Sequence, residues 1–248
     1  MFGNSLWAIP LFLQLHQLSF KVESGMQSVT FFQQATSPRH AAPARNDVLT
    51  NGSRDENRIA LTFDACPAPK AGGYDSAITR ILVETGTPAT LFLSGQWIKN
   101  HPAETKYLAS LDQFEIGNHS YSHPHMKELS DSLMKRELRK TQELLRKLTG
   151  RKPTLFRPPY GEYDERVIKV VADFGLKPVE FDIASGDPDT TISAKRLTRY
   201  MTKNVRNGSI IVMHINKRGK HTAEALSEII PQLKRKGFTF VKVSELRE

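Results

Sequence analysis

From Arg58 onward, short apolar runs alternate with amphipathic stretches. The runs are 58–64 (RIALTFD), 89–95 (ATLFLSG), 114–118 (FEIGN), 154–157 (TLFR), 178–183 (PVEFDI), 208–214 (GSIIVMH) and 238–243 (FTFVKV). Their length and their β-branched or aromatic content predict strands. The stretches between them predict helices over 74–86, 103–112, 131–148, 164–174, 193–205 and 221–236. The clearest is 131–148, which puts Met134, Leu138, Leu145 and Leu148 on one face. Ser130 is placed to cap its start and Gly150 its end. Strand–helix repetition implies a parallel sheet with helical crossovers. Seven strands suggest a closed or nearly closed α/β barrel. No fixed-period repeat is present, and the pair Gly72–Gly73 has neither P-loop nor Rossmann spacing.

The N-terminal part has a different texture. Leu6 to Leu13 is apolar throughout, like the core of a secretory signal. No Lys or Arg precedes it and no clear small-x-small cleavage site follows. Residues 1–25 are read as a hydrophobic segment of signal type, 26–57 as a linker, and 58–248 as the catalytic domain. A periplasmic or secreted location is the expectation from this segment, with a frayed tail on a cytoplasmic protein as the alternative. No apolar stretch is long enough to cross a bilayer as a helix.

Composition narrows the classes further. Of 248 residues, 39% are hydrophobic, which suffices for a core and excludes a fully disordered chain. Cys66 is the single cysteine, which excludes an intrachain disulfide and any all-cysteine metal centre. The net charge is +9. Residues 1–56 carry four basic residues (Lys21, Arg39, Arg45, Arg54) and four acidic ones (Glu23, Asp47, Asp55, Glu56), so the excess lies in 57–248. Such a body suits an anionic neighbour or simply confers solubility. Basic runs such as Lys234-Arg235-Lys236 fall on polar helix faces without a nucleic-acid motif, so no nucleic-acid partner is expected.

Reactive side chains recur at strand ends. Asp64 ends the first strand, His119 the third, Arg157 the fourth and His214 the sixth, while Asp187 follows the fifth. In a parallel α/β barrel these ends converge on one face, where active sites are built. His119 and His123, at i and i+4, can reach one metal ion from one side of a helical turn. Asp64 can act as a general base on water, and Arg157 can orient a carboxylate through two hydrogen bonds. Pro158 and Pro159 stiffen the loop after Arg157. His214 can serve as a general acid, with Asp187 raising its pKa. Each alone also reads as an ordinary turn, cap or loop residue.

Together these residues resemble the polysaccharide deacetylase family, the NodB-homology enzymes akin to carbohydrate esterase family 4. The resemblance covers about 57–248. It rests on Thr-Phe-Asp (62–64), His-Ser-x-x-His (119–123), Arg-Pro-Pro-Tyr-Gly (157–161), Asp187 and x-Met-His (212–214). It implies a distorted seven-stranded (β/α) barrel and a divalent metal, often zinc. The implied activity is removal of acetyl groups from acetylated glycans such as peptidoglycan or chitin-like oligosaccharides. By position, Asp64 would be the base and His119 and His123 metal ligands. Arg157 would orient Asp64, and His214, tuned by Asp187, would protonate the leaving amine. The backbone N–H of Tyr160 would stabilise the oxyanion, while Met213, Tyr160 and Pro159 would line the substrate pocket.

Two departures stand out. The family motif reads Thr-Phe-Asp-Asp-Gly-Pro, and its second Asp is the third metal ligand. Here Ala65 takes that position, Cys66 replaces the following Gly, and Pro188 replaces the hydrophobic residue usual after the fourth-motif Asp. Three readings follow: Cys66 supplies the missing ligand, Asp75 folds back to supply it, or two histidines hold metal weakly or not at all. Two rival functions remain beside deacetylation. One is a metal-independent hydrolase of non-peptide C–N bonds on a small molecule. The other is a catalytically silent glycan-binding protein.

Overall fold

A computed structural model describes residues 48–67 and 73–246. The segment 1–25, most of the linker, and Gly72 lie outside the described residues. Among the described residues the strands are β1 (Arg58–Ala65), β2 (Ala89–Leu93), β3 (Phe114–Asn118), β4 (Leu155–Phe156), β5 (Lys177–Pro178), β6 (Ile183–Ala184), β7 (Ile210–His214) and β8 (Thr239–Phe240). The helices are α1 (Ser76–Glu84), α2 (Gly95–Asn100), α3 (Pro102–Ser110), α4 (Asp131–Thr149), α5 (Glu165–Asp173), α6 (Ala194–Asn204) and α7 (Thr222–Arg235). Seven strands lie in the order β5-β4-β3-β2-β1-β7-β6, and β8 pairs the start of β1. Every ladder between them is parallel.

The sheet must curl. Laid flat at about 4.8 Å per strand, β5 and β6 would sit about 29 Å apart. Yet the five steps from Pro178 to Ile183 reach about 18 Å at most. The single run read over 178–183 is therefore two short strands at opposite edges of one barrel. Asp182 makes the break: its backbone N–H donates to the Ile210 carbonyl at 3.2 Å, and its carboxylate accepts the Ile210 N–H at 2.9 Å. A side chain thus takes the place of a ladder bond. Residues 48–57, read from the sequence as the end of a linker, instead cover this seam. Leu49 bridges Val179 and Asn51 bridges Ser209, one on each side of the gap.

Strand alternation sorts the core into layers. Ile59, Leu61, Phe63 and Ala65 of β1 join Leu91, Leu93, Ile211 and Met213 in a cluster beneath the helices. Ala60, on the opposite face, joins Phe92, Ile210, Val179 and Leu49 in a second cluster. Both faces of β1 are buried, which explains its nearly continuous apolar run. The interior is apolar at its foot and polar at its top, because the inward positions above Ala60 are Thr62 and Asp64. A third cluster joins α4 to α5 through Met134, Leu138, Val167 and Val171.

The caps match the sequence reading. Ser130 accepts the Leu133 N–H at the start of α4, and Gly150 ends the helix at φ 70°. That left-handed conformation favours glycine. Among the described residues, no helix is long and apolar enough to cross a membrane.

Candidate active site

The inward parity of β1 continues past its end. Thr62 and Asp64 face the barrel top, and Cys66 follows them two residues on. Ala65, between them, is fully buried with the helix-side core and offers nothing to the site. On β7 the same rule turns Val212 and His214 toward the cavity and Met213 away from it. The lining role assigned to Met213 is therefore corrected by strand parity, and Val212 takes it. Pro159 is likewise buried under its loop, while Pro158 and Tyr160 line the cavity. This cavity measures about 240 Å³ and gathers Asp64, Cys66, His119, His123, Arg157 and His214.

Cys66, His119 and His123 bring one donor atom each within 4.8 Å of one another. The Cys66 Sγ lies 3.6 Å from His119 Nε2. A thiolate and an imidazole on one tetrahedral zinc, at about 2.3 and 2.05 Å, stand about 3.6 Å apart, so this pair already has metal-site spacing. His119 Nδ1 donates to the Arg157 carbonyl at 2.9 Å. That bond fixes the tautomer and leaves Nε2 as the free donor atom, the usual arrangement behind a ligating histidine. Burial would raise the Cys66 thiol pKa, but hydrogen bonds with His119, His123 and His214 outweigh it and bring it down to about 4. The thiolate is the ligand form. Asp75 does not join this group: its carboxylate accepts the Ala77 N–H at 3.1 Å and caps α1.

The two histidines do not meet on a helical turn. Ser120 and His123 both adopt positive φ, at 59° each, so the segment is an irregular loop. Helix α4 holds it in shape. The Glu137 carboxylate accepts the N–H groups of Tyr121 and Ser122, at 3.0 and 2.7 Å, and the Ser122 hydroxyl. Thr141 donates to the Ser120 carbonyl. The sequence reading missed Glu137. An acidic residue beside Leu138 on the apolar stripe was the signal that could have found it.

Two carboxylates complete the constellation. Arg157 Nη1 donates to Asp64 Oδ1 at 2.9 Å and to Thr62 Oγ1 at 2.7 Å, and Nη2 donates to the Glu180 carbonyl at 3.2 Å. Its guanidinium lies over the Phe92 ring, 4.2 Å from the centroid. Burial would raise the Asp64 pKa, yet Arg157, His119 and His214 together hold it below the usual carboxylate range. Asp187 Oδ1 accepts from His214 Nδ1 at 2.9 Å and from the Ser185 hydroxyl at 2.9 Å. Its Oδ2 accepts from the His214 N–H and from Thr222 Oγ1. Burial would lower the His214 pKa, but the hydrogen bond to Asp187 and the contacts with Cys66 and Asp64 push it up to about 10.

Around the mouth the backbone is unusual. All four non-glycine residues at positive φ among the described residues, Ser120, His123, Tyr160 and Lys217, lie in its loops. Such conformations cost of order 1–3 kcal/mol and cluster at functional sites. Tyr160 is exposed, stacks on His125 at 4.3 Å and meets His123 edge-on at 4.4 Å. Its N–H has no acceptor among the described residues. Glu180, beneath Gly161, is a second residue that sequence reading passed over. Burial raises its pKa to about 7, against the pull of Arg157.

The family model described as polysaccharide deacetylase matches residues 51–179. The chain belongs to the polysaccharide deacetylase family. Among curated relatives, an uncharacterized Bacillus subtilis protein is 31% identical over 209 residues, covering 84% of this chain, which spans 63% of that protein. A Bacillus cereus peptidoglycan-N-acetylglucosamine deacetylase is 32% identical over 198 residues, 79% of this chain and 70% of the relative. Among solved structures, a Bacillus anthracis pseudoenzyme of family CE4 superposes with a TM-score of 0.73 at 28% identity, over 83% of this chain and 69% of that one. A mutant of that pseudoenzyme is described as having restored enzymatic activity. The family thus contains both a named deacetylase and a named pseudoenzyme similar to this chain.

Proposed function

We propose that the protein is a metal-dependent hydrolase that removes acetyl groups from N-acetylated glycans of cell-wall type, acting outside the cytoplasm. The observation that carries this reading is the convergence of three potential ligands, Cys66, His119 and His123, with two distinct acid–base pairs in one cavity. Cys66, His119 and His123 would hold the metal, zinc being the best match to a thiolate–imidazole set. When bound, zinc supplies Lewis-acid polarisation of the acetyl carbonyl.

The chain's own residues would do the rest. Asp64 accepts the proton of the attacking water at Oδ2, because Oδ1 is taken by Arg157. Arg157 fixes the direction of that carboxylate. The Tyr160 N–H donates to the developing oxyanion, a contribution of about 3 kcal/mol for a well-placed donor. His214 Nε2 delivers a proton to the leaving amine, with Asp187 holding the ring by Nδ1. Tyr160 and Pro188 form the walls against which the sugar would lie. The peptidoglycan deacetylase among the relatives supports the choice of substrate class.

The test is acetate release from N-acetylglucosamine oligomers and peptidoglycan, on chelated protein with and without restored zinc. Zinc-dependent release is the expected result. Release that ignores zinc would favour the metal-independent C–N hydrolase. No release from folded, zinc-loaded protein would favour the silent glycan binder, the reading to which Ala65 lends support.

A further inference from the structure

Two arginines line the cavity, and only one is used. Arg157 is buried and committed through Nη1 to Asp64 and Thr62 and through Nη2 to the Glu180 carbonyl. Arg218 lines the same cavity, is exposed at its mouth, and makes no hydrogen bond or ion pair among the described residues. The cavity's two acids are already matched, Asp64 by Arg157 and Asp187 by His214. Arg218 is therefore surplus positive charge at the entrance.

Its placement is built into the fold. The loop that carries it, 217–221, joins β7 to α7 and is pinned on both sides of Arg218. A Cβ on Gly219 would come within 1.9 Å of Thr222 Oγ1 and 2.6 Å of Asp187 Oδ2, so the loop backbone rests directly on the Asp187 carboxylate. On the other side, Lys217 adopts φ 62°, and its stem lies so close to Gly73 that a Cβ there would meet Lys217 Cδ at 2.8 Å. A cation on a loop pinned this way loses less backbone freedom on binding than one on a mobile loop.

The surroundings carry the same sign. From Asp187 to Thr222 the chain has eight basic residues against two acidic ones. One of those acids is the buried Asp187, and the other, Asp189, turns back onto Thr191. Helix α6 presents Lys195, Arg196, Arg199 and Lys203 to solvent without one acidic residue. It packs on α7, the helix that the Arg218 loop enters. Charges serving solubility alone are interspersed in sign, as on α4.

We infer that Arg218 is a specificity-determining residue that pairs with an oxyanion, a carboxylate or a phosphate, borne by the glycan at or beside the sugar being deacetylated. Guanidinium forks match both groups through two parallel hydrogen bonds. Lys217, Lys220 and the exposed face of α6 extend the field along which a polyanionic strand would approach. This inference deepens the glycan deacetylase reading and rests on it for the identity of the ligand.

The experiment is calorimetric binding of defined tetrasaccharides to the full chain. The probes are neutral N-acetylglucosamine tetramer, its alternating 3-O-lactyl ether carrying carboxylates, the same lactyl compound converted to methylamides, and a 6-phosphorylated tetramer. One charged probe should bind about five- to tenfold more tightly than its neutral counterpart, with the advantage shrinking in high salt. Which charged probe shows it separates carboxylate from phosphate. Arg218→Ala should erase the charged-to-neutral ratio, and Arg218→Lys should restore part of it. Equal binding of all four probes would overturn the inference, as would a charge preference that survives Arg218→Ala. Because the readout is binding, absence of acetate release would count against the deacetylase reading alone.

Discussion

Asp64, near the end of β1, and Asp187, just past β6, are both buried carboxylates of one cavity, and they are held in opposite ways. Asp187 receives four donors, two on each oxygen. Nothing is left on it for a substrate. Asp64 receives one strong donor on one oxygen, and its second oxygen lies 3.8 Å from His119, open to the cavity. A saturated carboxylate fixes a partner in place; an unsaturated one can take a proton. The difference supports the proposed roles without reference to any relative: Asp187 would position His214, and Asp64 would act as the base.

The largest effect should come from the open oxygen. Asp64→Asn keeps an acceptor for Arg157 but removes the base, and acetate release should fall about a thousandfold. A loss under tenfold would show that Asp64 is not the proton acceptor. Next is the cation behind it. Arg157→Met leaves the Asp64 charge buried without its partner and should destabilise the fold by about 3–5 kcal/mol, read from urea unfolding. The variant should be most affected above the Asp64 pKa, because a carboxyl with a depressed folded pKa contributes stability above its unfolded value and loses it as pH falls.

Asp187→Asn should cost less, about 1–3 kcal/mol, since it turns one acceptor into a donor facing other donors. It also carries a pH signature. In metal-free protein the His214 pKa is raised to about 10. The stabilisation is complete below the unfolded value near 6.5 and is lost as pH rises through the folded value. Thermal stability of the wild type should therefore decline between about pH 6.5 and 10 more steeply than that of Asp187→Asn. Parallel curves would break the Asp187–His214 half of the comparison. Thr222→Val, which removes one of four donors, should be the mildest change, about 1 kcal/mol.

Much of this was legible in the chain, and for an identifiable reason. Strand parity and strand ends are local properties, so Asp64, His119, Arg157 and His214 could be placed from the runs that precede them. The same parity, applied strictly, would have moved Met213 out of the pocket and Val212 into it. The split at 178–183 was not legible, because two-residue ladders leave no period and the break depends on the Asp182 side chain replacing a backbone bond. The loop form of 119–123 was hidden as well: left-handed conformations at Ser120 and His123 carry no glycine to announce them. Leu49 and Asn51 make single bridges across a seam that exists only once the barrel has curled.

Position 65 gives the account its central claim. The position where the family resemblance implies a third ligand is an alanine in the core, and Cys66, one step on, lies beside His119 and His123. Cobalt(II) added to chelated full-length protein tests this without any substrate. Ligation by Cys66 predicts a near-ultraviolet thiolate-to-cobalt charge-transfer band at about one equivalent, displaced by zinc and absent in Cys66→Ser. A wild type that binds cobalt without that band, or a Cys66→Ser variant with the same spectrum and affinity, would contradict it.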